Sequence, residues 1–308
     1  MRPVKIPTDS EIQKIAKILV EHSARVKKGD YVQIVAGIPA RDLVLEVYKQ
    51  IIQKGAYPVL KADFEGLSYL YYKYASEEQL KNFPKIAFHE MKNSDAVIYI
   101  AAPENRYELA TISPDPLTLR QKTIRKIFEE RLKKKWVIFD YPVPDFAKDA
   151  GMSLPEYRKF VFESCMQDWE KLSVFMKKVK KVIDEGKKVR IKTPNTDLTF
   201  GINGRLGAIG NGTCNMPDGE VWTAPEENTE GHINFTYPLE RMGRFHRRAL
   251  HRRTFHPDPT SKDSSPQRMA QGFGQCRSAG LRPDAAPATQ RLFTGFGKRV
   301  RADARSPE

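Results

Sequence analysis

The stretch Ala96-Val97-Ile98-Tyr99-Ile100-Ala101-Ala102 (AVIYIAA) has no charged or strongly polar residue in seven positions. A strand with one wet face alternates apolar and polar residues, whereas a strand covered on both faces need not, and unbroken apolar strands belong to parallel sheets sandwiched between helices. Trp136 to Tyr141 (WVIFDY) is a second strand of this kind, behind a helical pattern around Leu119 to Leu132. Toward the N-terminus, Tyr31 to Ala36 and Tyr57 to Phe64 read as two more strands. Between them, after Pro39, a helix is predicted with Leu43, Val44, Val47, Tyr48, Ile51 and Ile52 on one side and Gly55 at its end. Before them, Thr8-Asp9-Ser10-Glu11 has the capping-box pattern, followed by Ile12, Ile15, Ala16, Leu19 and Val26 at helical spacing and Gly29 as the stop. Strands alternating with helices predict an α/β fold with a parallel, doubly wound N-terminal sheet.

Beyond Gly151 a second capping box, Ser153-Leu154-Pro155-Glu156, opens one long helical pattern through Phe160, Val161, Cys165, Trp169, Leu172, Met176, Val179 and Ile183 to Gly186. Cys165 falls on the apolar stripe and reads as core. After Gly186 the period changes to two: Val189 to Lys192 and Leu198 to Phe200, separated by Pro-Asn-Thr-Asp, read as a hairpin that starts a β-rich domain. The predicted divisions are an α/β domain over 1–186, the start of a second domain over 187–243, and a tail over 244–308.

The tail differs in composition from everything before it. Residues 240–308 hold 15 Lys+Arg against 6 Asp+Glu, which leaves 37 against 32 for residues 1–239, so most of the net charge of +14 is terminal. The body uses 27 Lys and 10 Arg, the tail 2 Lys and 13 Arg, and neither Tyr nor Ile occurs after Tyr237 and Ile233 respectively. Three scattered cysteines, Cys165, Cys214 and Cys276, give neither a disulfide framework nor a CxxC metal knuckle. No apolar run reaches the roughly 18 residues of a membrane span, and the start lacks a signal-peptide segment, so a cytoplasmic protein is expected.

Most short motifs fail. His89-Glu90 starts a zinc-helix pattern, but Asn93 stands where the second histidine belongs. The glycines of GRLGAIGNG (204–212) lack dinucleotide-fingerprint spacing and read as turns. One stretch raises a question instead. In NMPDGEVWTAP (215–225), a strand over Glu220 to Ala224 places Glu220 on one face with Trp222 and Ala224. A buried carboxylate needs a cation or several donors, and a solvated one needs nothing.

With YPVPDFAKDAGMSLPEYRKF (141–160) and CMQDW (165–169), the NMPDGEVWTAP string resembles the thermophilic metallo-aminopeptidases, the aminopeptidase T and aminopeptidase S group. The resemblance runs from the first helix to about Gly243 or Arg244. It implies an N-terminal α/β domain, a C-terminal domain holding two divalent metal ions (zinc, cobalt, manganese or magnesium), a peptide substrate cut after its N-terminal residue, and a homodimer without specific nucleic-acid or membrane partners. Glu220 corresponds to a metal ligand of that family, and Trp222 would form a wall of the substrate pocket.

The family's remaining ligands are a second glutamate, a histidine in a Gly-Thr-x-His-type segment and a His-Trp-Asp-type pair, accompanied by a tyrosine. None has a counterpart here, and the spacing of His246, His251 and His256 by five fits neither a helix face nor a strand. The expectation is a reading-frame shift near Arg244, which would leave codon composition but not amino-acid selection. The tail is then disordered, the second domain incomplete and the peptidase impaired. A different class of function is a polyanion or nucleic-acid binder working through FHRRALHRRTFH (245–256), with arginines on phosphates and His or Phe on bases. A non-catalytic scaffold that dimerises through the α/β domain is a third.

Overall fold

The computed structural model describes residues 9–224, 229–233, 240–241 and 244–245. They divide into two compact units, one over Met1–Val174 with Gly210–Glu220, the other over Phe175–Ile209 with Val221–Glu308.

The first unit opens with α1 (Ser10–Lys17), which runs into a π-helical turn, Ile18–Ser23. Its cap is Asp9, whose carboxylate accepts from the Glu11 amide at 2.8 Å and the Ile12 amide at 3.4 Å. Asp9 therefore does the work the sequence assigned to Thr8, which lies outside the described residues. The same carboxylate takes the Arg158 guanidinium at 2.6 Å, and that hydrogen bond, ahead of the two amides, holds its pKa below the usual carboxylate range.

Next come β1 (Tyr31–Gly37), a 3-10 turn at Ile38–Ala40, α2 (Arg41–Gln53) and β2 (Tyr57–Asp63). Three short helices, α3 (Leu67–Tyr74), α4 (Glu77–Lys81) and α5 (Lys85–Lys92), lead to β3 (Ala96–Ala101), and α6 (Pro114–Leu132) leads to β4 (Lys135–Asp140). Then α7 (Pro144–Asp149), α8 (Leu154–Cys165) and α9 (Trp169–Glu185) follow, so the long helix expected after Ser153 is two helices. The break falls at Met166 to Asp168, where Asp168 restarts the helix by accepting from the Lys171 amide at 2.9 Å, and the apolar period continues across it.

The strands form one parallel sheet in the order β2-β1-β3-β4, with Val32 opposite Ala96 and Ile98 opposite Val137. Helices cover both faces, as the apolar AVIYIAA run requires. On one face Val32, Ile34, Ile98, Ile100, Val137 and Phe139 meet Ile15, Leu19, Leu43, Val47 and Phe162 in the main core. On the other, Arg131 of α6 lies over the Trp136 ring, 4.9 Å from its centre, and Lys61 of β2 pairs with Glu90 of α5. Cys165 is fully buried, and burial pushes its thiol far up, as a core cysteine requires. Within α2, Leu43, Val44, Val47 and Ile51 are buried, but Tyr48 and Ile52 face solvent, a departure from the single apolar side read in the sequence.

A fifth strand completes this sheet from far along the chain. After β5 (Lys188–Thr193), β6 (Thr196–Gly201) and β7 (Ala208–Gly210), the two-residue β8 (Asn215–Met216) adds to β4 in parallel, with Ile138 opposite Asn215 and Phe139 opposite Met216. The Ile138 amide donates to the Cys214 carbonyl at 2.8 Å, and Met216 is buried in the main core. The preceding loop is tied down too. His22 donates from Nε2 to the Asn211 carbonyl at 2.7 Å and stacks on Trp169, while Asn211 Nδ2 donates to Ser173 Oγ at 3.2 Å.

The second unit contains β5 and β6 as the expected hairpin, joined by β10 (Glu230–His232) into a three-stranded antiparallel sheet. Arg190 holds Asp197 across the hairpin through Nε and Nη2 at 2.8 and 2.7 Å. Among its described residues the buried apolar side chains are Met176, Ile202 and Ala224. Phe175, Val182 and Leu206 of the same unit are largely exposed. The tail from residue 246 onward, with its basic run and three histidines, lies outside the described residues.

Between β8 and β9 (Glu220–Trp222) the chain turns on Asp218 and Gly219. The Gly219 amide donates to the Gly210 carbonyl at 2.9 Å, and the Asp218 carboxylate accepts from the Gly212 amide at 3.3 Å. Gly219 has φ +124°, a conformation open to glycine. A Cβ at Gly210 would run into the Asp218 carboxylate. Gly210→Ala is therefore expected to destabilise the protein by about 1–3 kcal/mol in urea unfolding, the range for overpacking. In an Asp218→Ala background the cost should fall by more than about 0.5 kcal/mol, the coupling that contacting pairs show. Equal costs in both backgrounds would mean that Asp218 is not what fills the space.

Candidate functional site

In open parallel sheets ligands usually enter where the strand order reverses, beyond the strand C-termini. Here that point lies between β1 and β3, since β1 connects to β2 on one side and β3 to β4 on the other. There the backbones approach closely: a Cβ on Gly37, at the end of β1, would collide with the Ala102 carbonyl oxygen just past β3.

The sequence points instead to Glu220. It is the first residue of β9, directly after the Asp218-Gly219 turn, and it is half-buried. The turn and its two ties to Gly210 and Gly212 fix where the strand begins. Trp222, two residues on, is also half-buried and shares a strand face with Glu220 by alternation, and Ala224 is buried. β9 pairs with β7 in a two-stranded sheet. Glu220 therefore stands on regular backbone at the end of a clamped turn, a suitable mount for a ligand.

The other donors of a metal centre do not gather around it. Among the described residues, no group of three His, Cys, Asp or Glu is placed to hold a metal ion. The candidates elsewhere are already engaged. His22 is bound to the Asn211 carbonyl, and Glu90, next to His89 on α5, is paired with Lys61. Cys214 is mostly shielded; burial first, then the nearby Asp218 charge, push its thiol up, the wrong direction for a thiolate ligand. His232 and Glu230 line an open groove on the three-stranded sheet beside Asp197, whose carboxylate both Arg190 bonds occupy. His246, His251 and His256 lie outside the described residues.

A polar layer on the second face of the parallel sheet was not anticipated from sequence. Tyr99 of β3 lies there near Asp63, Asp140 and Arg131; burial, then the Asp63 charge, raise its hydroxyl pKa to about 12. Burial and then Glu108 raise the Asp63 carboxyl. Glu108 itself caps the start of α3, accepting from the Gly66 and Tyr69 amides at 2.9 Å each. These contacts hold the α3 connection onto the sheet, a positioning task. The only hint in the sequence was Tyr99 itself, the one polar handle in AVIYIAA.

The residues present thus offer one carboxylate of the right kind for a divalent cation, and the described part of the chain does not fit a two-metal centre. No described helix is long and apolar enough to cross a membrane. Comparison with known proteins identifies the scaffold. Wild-type AmpT from Thermus thermophilus superposes with a TM-score of 0.65 at 22% identity, over 78% of this chain and 68% of that one, a likeness of fold. A LacI-family chain from Corynebacterium glutamicum reaches a TM-score of 0.23 at 11% identity over 44% of each chain, too little to bear on the fold. No curated protein matches the sequence. The model of the thermophilic metalloprotease (M29) family matches residues 8–247, well over half of the chain, and the protein belongs to that family of metal-dependent peptidases.

Proposed function

We propose that this chain is built as an aminopeptidase that releases the N-terminal residue of peptides in the cytoplasm as a homodimer, with Glu220 as a metal ligand and Trp222 as a pocket wall, and that catalysis is impaired in it. The observation that carries the reading is Glu220 itself: a half-buried carboxylate in the Met-Pro-Asp-Gly-Glu-Val-Trp-Thr-Ala-Pro string, held on β9 by the Asp218-Gly219 turn, in an M29 chain. Divalent ions would supply an activated water for hydrolysis in an intact centre of this kind, and Glu220 is the residue here that would help hold them. Zinc, cobalt, manganese and magnesium all suit carboxylate-rich sites.

Three observations support impairment. The described residues bring no second and third ligand to Glu220. The family match stops at residue 247, a few residues into the Arg-rich tail. The second unit has little apolar core among its described residues. A frame shift near Arg244 accounts for all three, because it would replace the ligand-bearing and core-forming half of the second domain with unselected sequence.

Zinc and cobalt titrations, with leucine 4-nitroanilide as substrate, test the catalytic part on the full chain and on Glu220→Gln. The expected result is no two-metal stoichiometry and no turnover above the Glu220→Gln background. Two metals per chain with turnover that Glu220→Gln abolishes would refute impairment while establishing the ligand. Sequencing the coding DNA across the codons for Tyr237 to Leu250 tests the cause. Another frame that continues with acidic and histidine-bearing motifs is expected, and three frames without them would remove the frame-shift account.

A further inference from the structure

The chain contains two Asn-Gly pairs, Asn203-Gly204 and Asn211-Gly212, both between β6 and β8. Such a pair carries its own electrophile and nucleophile. The backbone nitrogen of the glycine, once deprotonated, attacks the asparagine Cγ; a C–N bond forms, the Cγ–Nδ2 bond breaks, and ammonia leaves behind a cyclic succinimide. Water then opens the ring at either carbonyl and gives aspartate or isoaspartate. Glycine is the favourable neighbour because no Cβ shields its nitrogen. The two pairs are chemically alike, so a difference between them is set by the fold.

Asn203 and Gly204 are exposed and form the centre of a turn, closed by the Arg205 amide on the Ile202 carbonyl at 3.0 Å. Gly204 has φ +73° and Asn203 does not share that sign, the pattern of a type II turn, whose central peptide unit takes no part in the closing bond. Among the described residues neither the Asn203 side chain nor the Gly204 amide has a hydrogen-bond partner. A Cβ built on Gly204 would meet nothing, so the space around the attacking nitrogen is open.

Asn211-Gly212 is held at each reacting atom. The Gly212 amide donates to the Asp218 carboxylate at 3.3 Å, which engages the nucleophile. Asn211 Nδ2, the leaving group, donates to Ser173 Oγ at 3.2 Å, and Asn211 Oδ1 accepts from the Thr213 hydroxyl at 2.9 Å. The carbonyl of the peptide unit joining the pair accepts from His22 Nε2 at 2.7 Å, so the plane that has to rotate for attack is pinned. Gly212 is buried, and a Cβ there would run into the end of the Met216 side chain.

We propose that Asn203 is a site of spontaneous deamidation by water, and that the bonds from His22, Ser173 and Asp218 block the same reaction at Asn211. Isoaspartate at 203 adds a methylene to the main chain and a carboxylate to the turn between Ile202 and Arg205, both buried residues. The assignment holds whether or not Glu220 binds a metal. Ageing of the full chain in warm, mildly alkaline buffer, with and without urea, followed by mass-spectrometric peptide mapping, gives the test. In the native chain conversion at Asn203 is expected to outpace that at Asn211 by about tenfold or more, the protection that a locally bonded unit gives, and in urea the two rates should converge. His22→Ala is expected to raise the Asn211 rate and leave the Asn203 rate alone; if this variant does not fold, the comparison of native with urea decides. Asn203 intact in the native chain while it reacts in urea would overturn the site. Equal native rates, or a ratio that urea does not change, would overturn protection by the fold.

Discussion

The pairing of β8 with β4 is the constraint on which the rest of the account depends. Two residues, Asn215 and Met216, return to a sheet whose other strands all end by Asp140. They do so because Met216 finds a place in the main core and because the Ile138 amide, otherwise an open edge donor, meets the Cys214 carbonyl. Everything that positions Glu220 follows from that return: the Asn211 loop held by His22 and Ser173, the Asp218-Gly219 turn tied to Gly210 and Gly212, and the start of β9 immediately after. A side chain on a loose loop is not preorganised, whereas Glu220 is four residues past a strand belonging to the best-packed part of the molecule.

The two units are unequal in the physical means of holding themselves together. The first buries a continuous cluster from Ile12 to Met216 and closes the end of its sheet with Gly37 against Ala102. The second relies, in its described part, on a hairpin, the Arg190–Asp197 pair and a few buried apolar side chains, while Phe175, Val182 and Leu206 stay exposed. The Arg190–Asp197 pair is itself on the surface, where such pairs contribute about 0–1 kcal/mol. Among the described residues, apolar burial is therefore concentrated in the first unit.

The strands and helices of the sheet were legible because two-sided burial leaves apolar runs such as AVIYIAA and WVIFDY, and because helix starts carry chemical marks; Glu156 does return to the Ser153 amide at 3.0 Å. The assignment of the first cap to Thr8 missed because Asp9, one residue on, offers the better acceptor and gains Arg158 besides. The break between α8 and α9 was invisible because the apolar period runs through it. β8 was beyond reach for a deeper reason: two residues have no period, and their strand character comes from a partner more than seventy residues away. At the site, alternation put Glu220 and Trp222 on one face but could not separate a ligand from a solvated carboxylate. The ligand reading rests on the string around them, and no pattern in the sequence marked the Tyr99, Asp63 and Glu108 layer, whose members meet only in three dimensions.

Native-state hydrogen exchange at the Ile138 amide reports on the β8–β4 pairing, because that group is protected only if the Cys214 to Met216 segment is docked on β4. Ile138 is expected to exchange as slowly as the central amides of β1 and β3, through opening of the whole unit. Exchange at the rate of an exposed edge amide, with β1 and β3 still protected, would show that the segment is not part of the sheet and that Glu220 is not held in place by it.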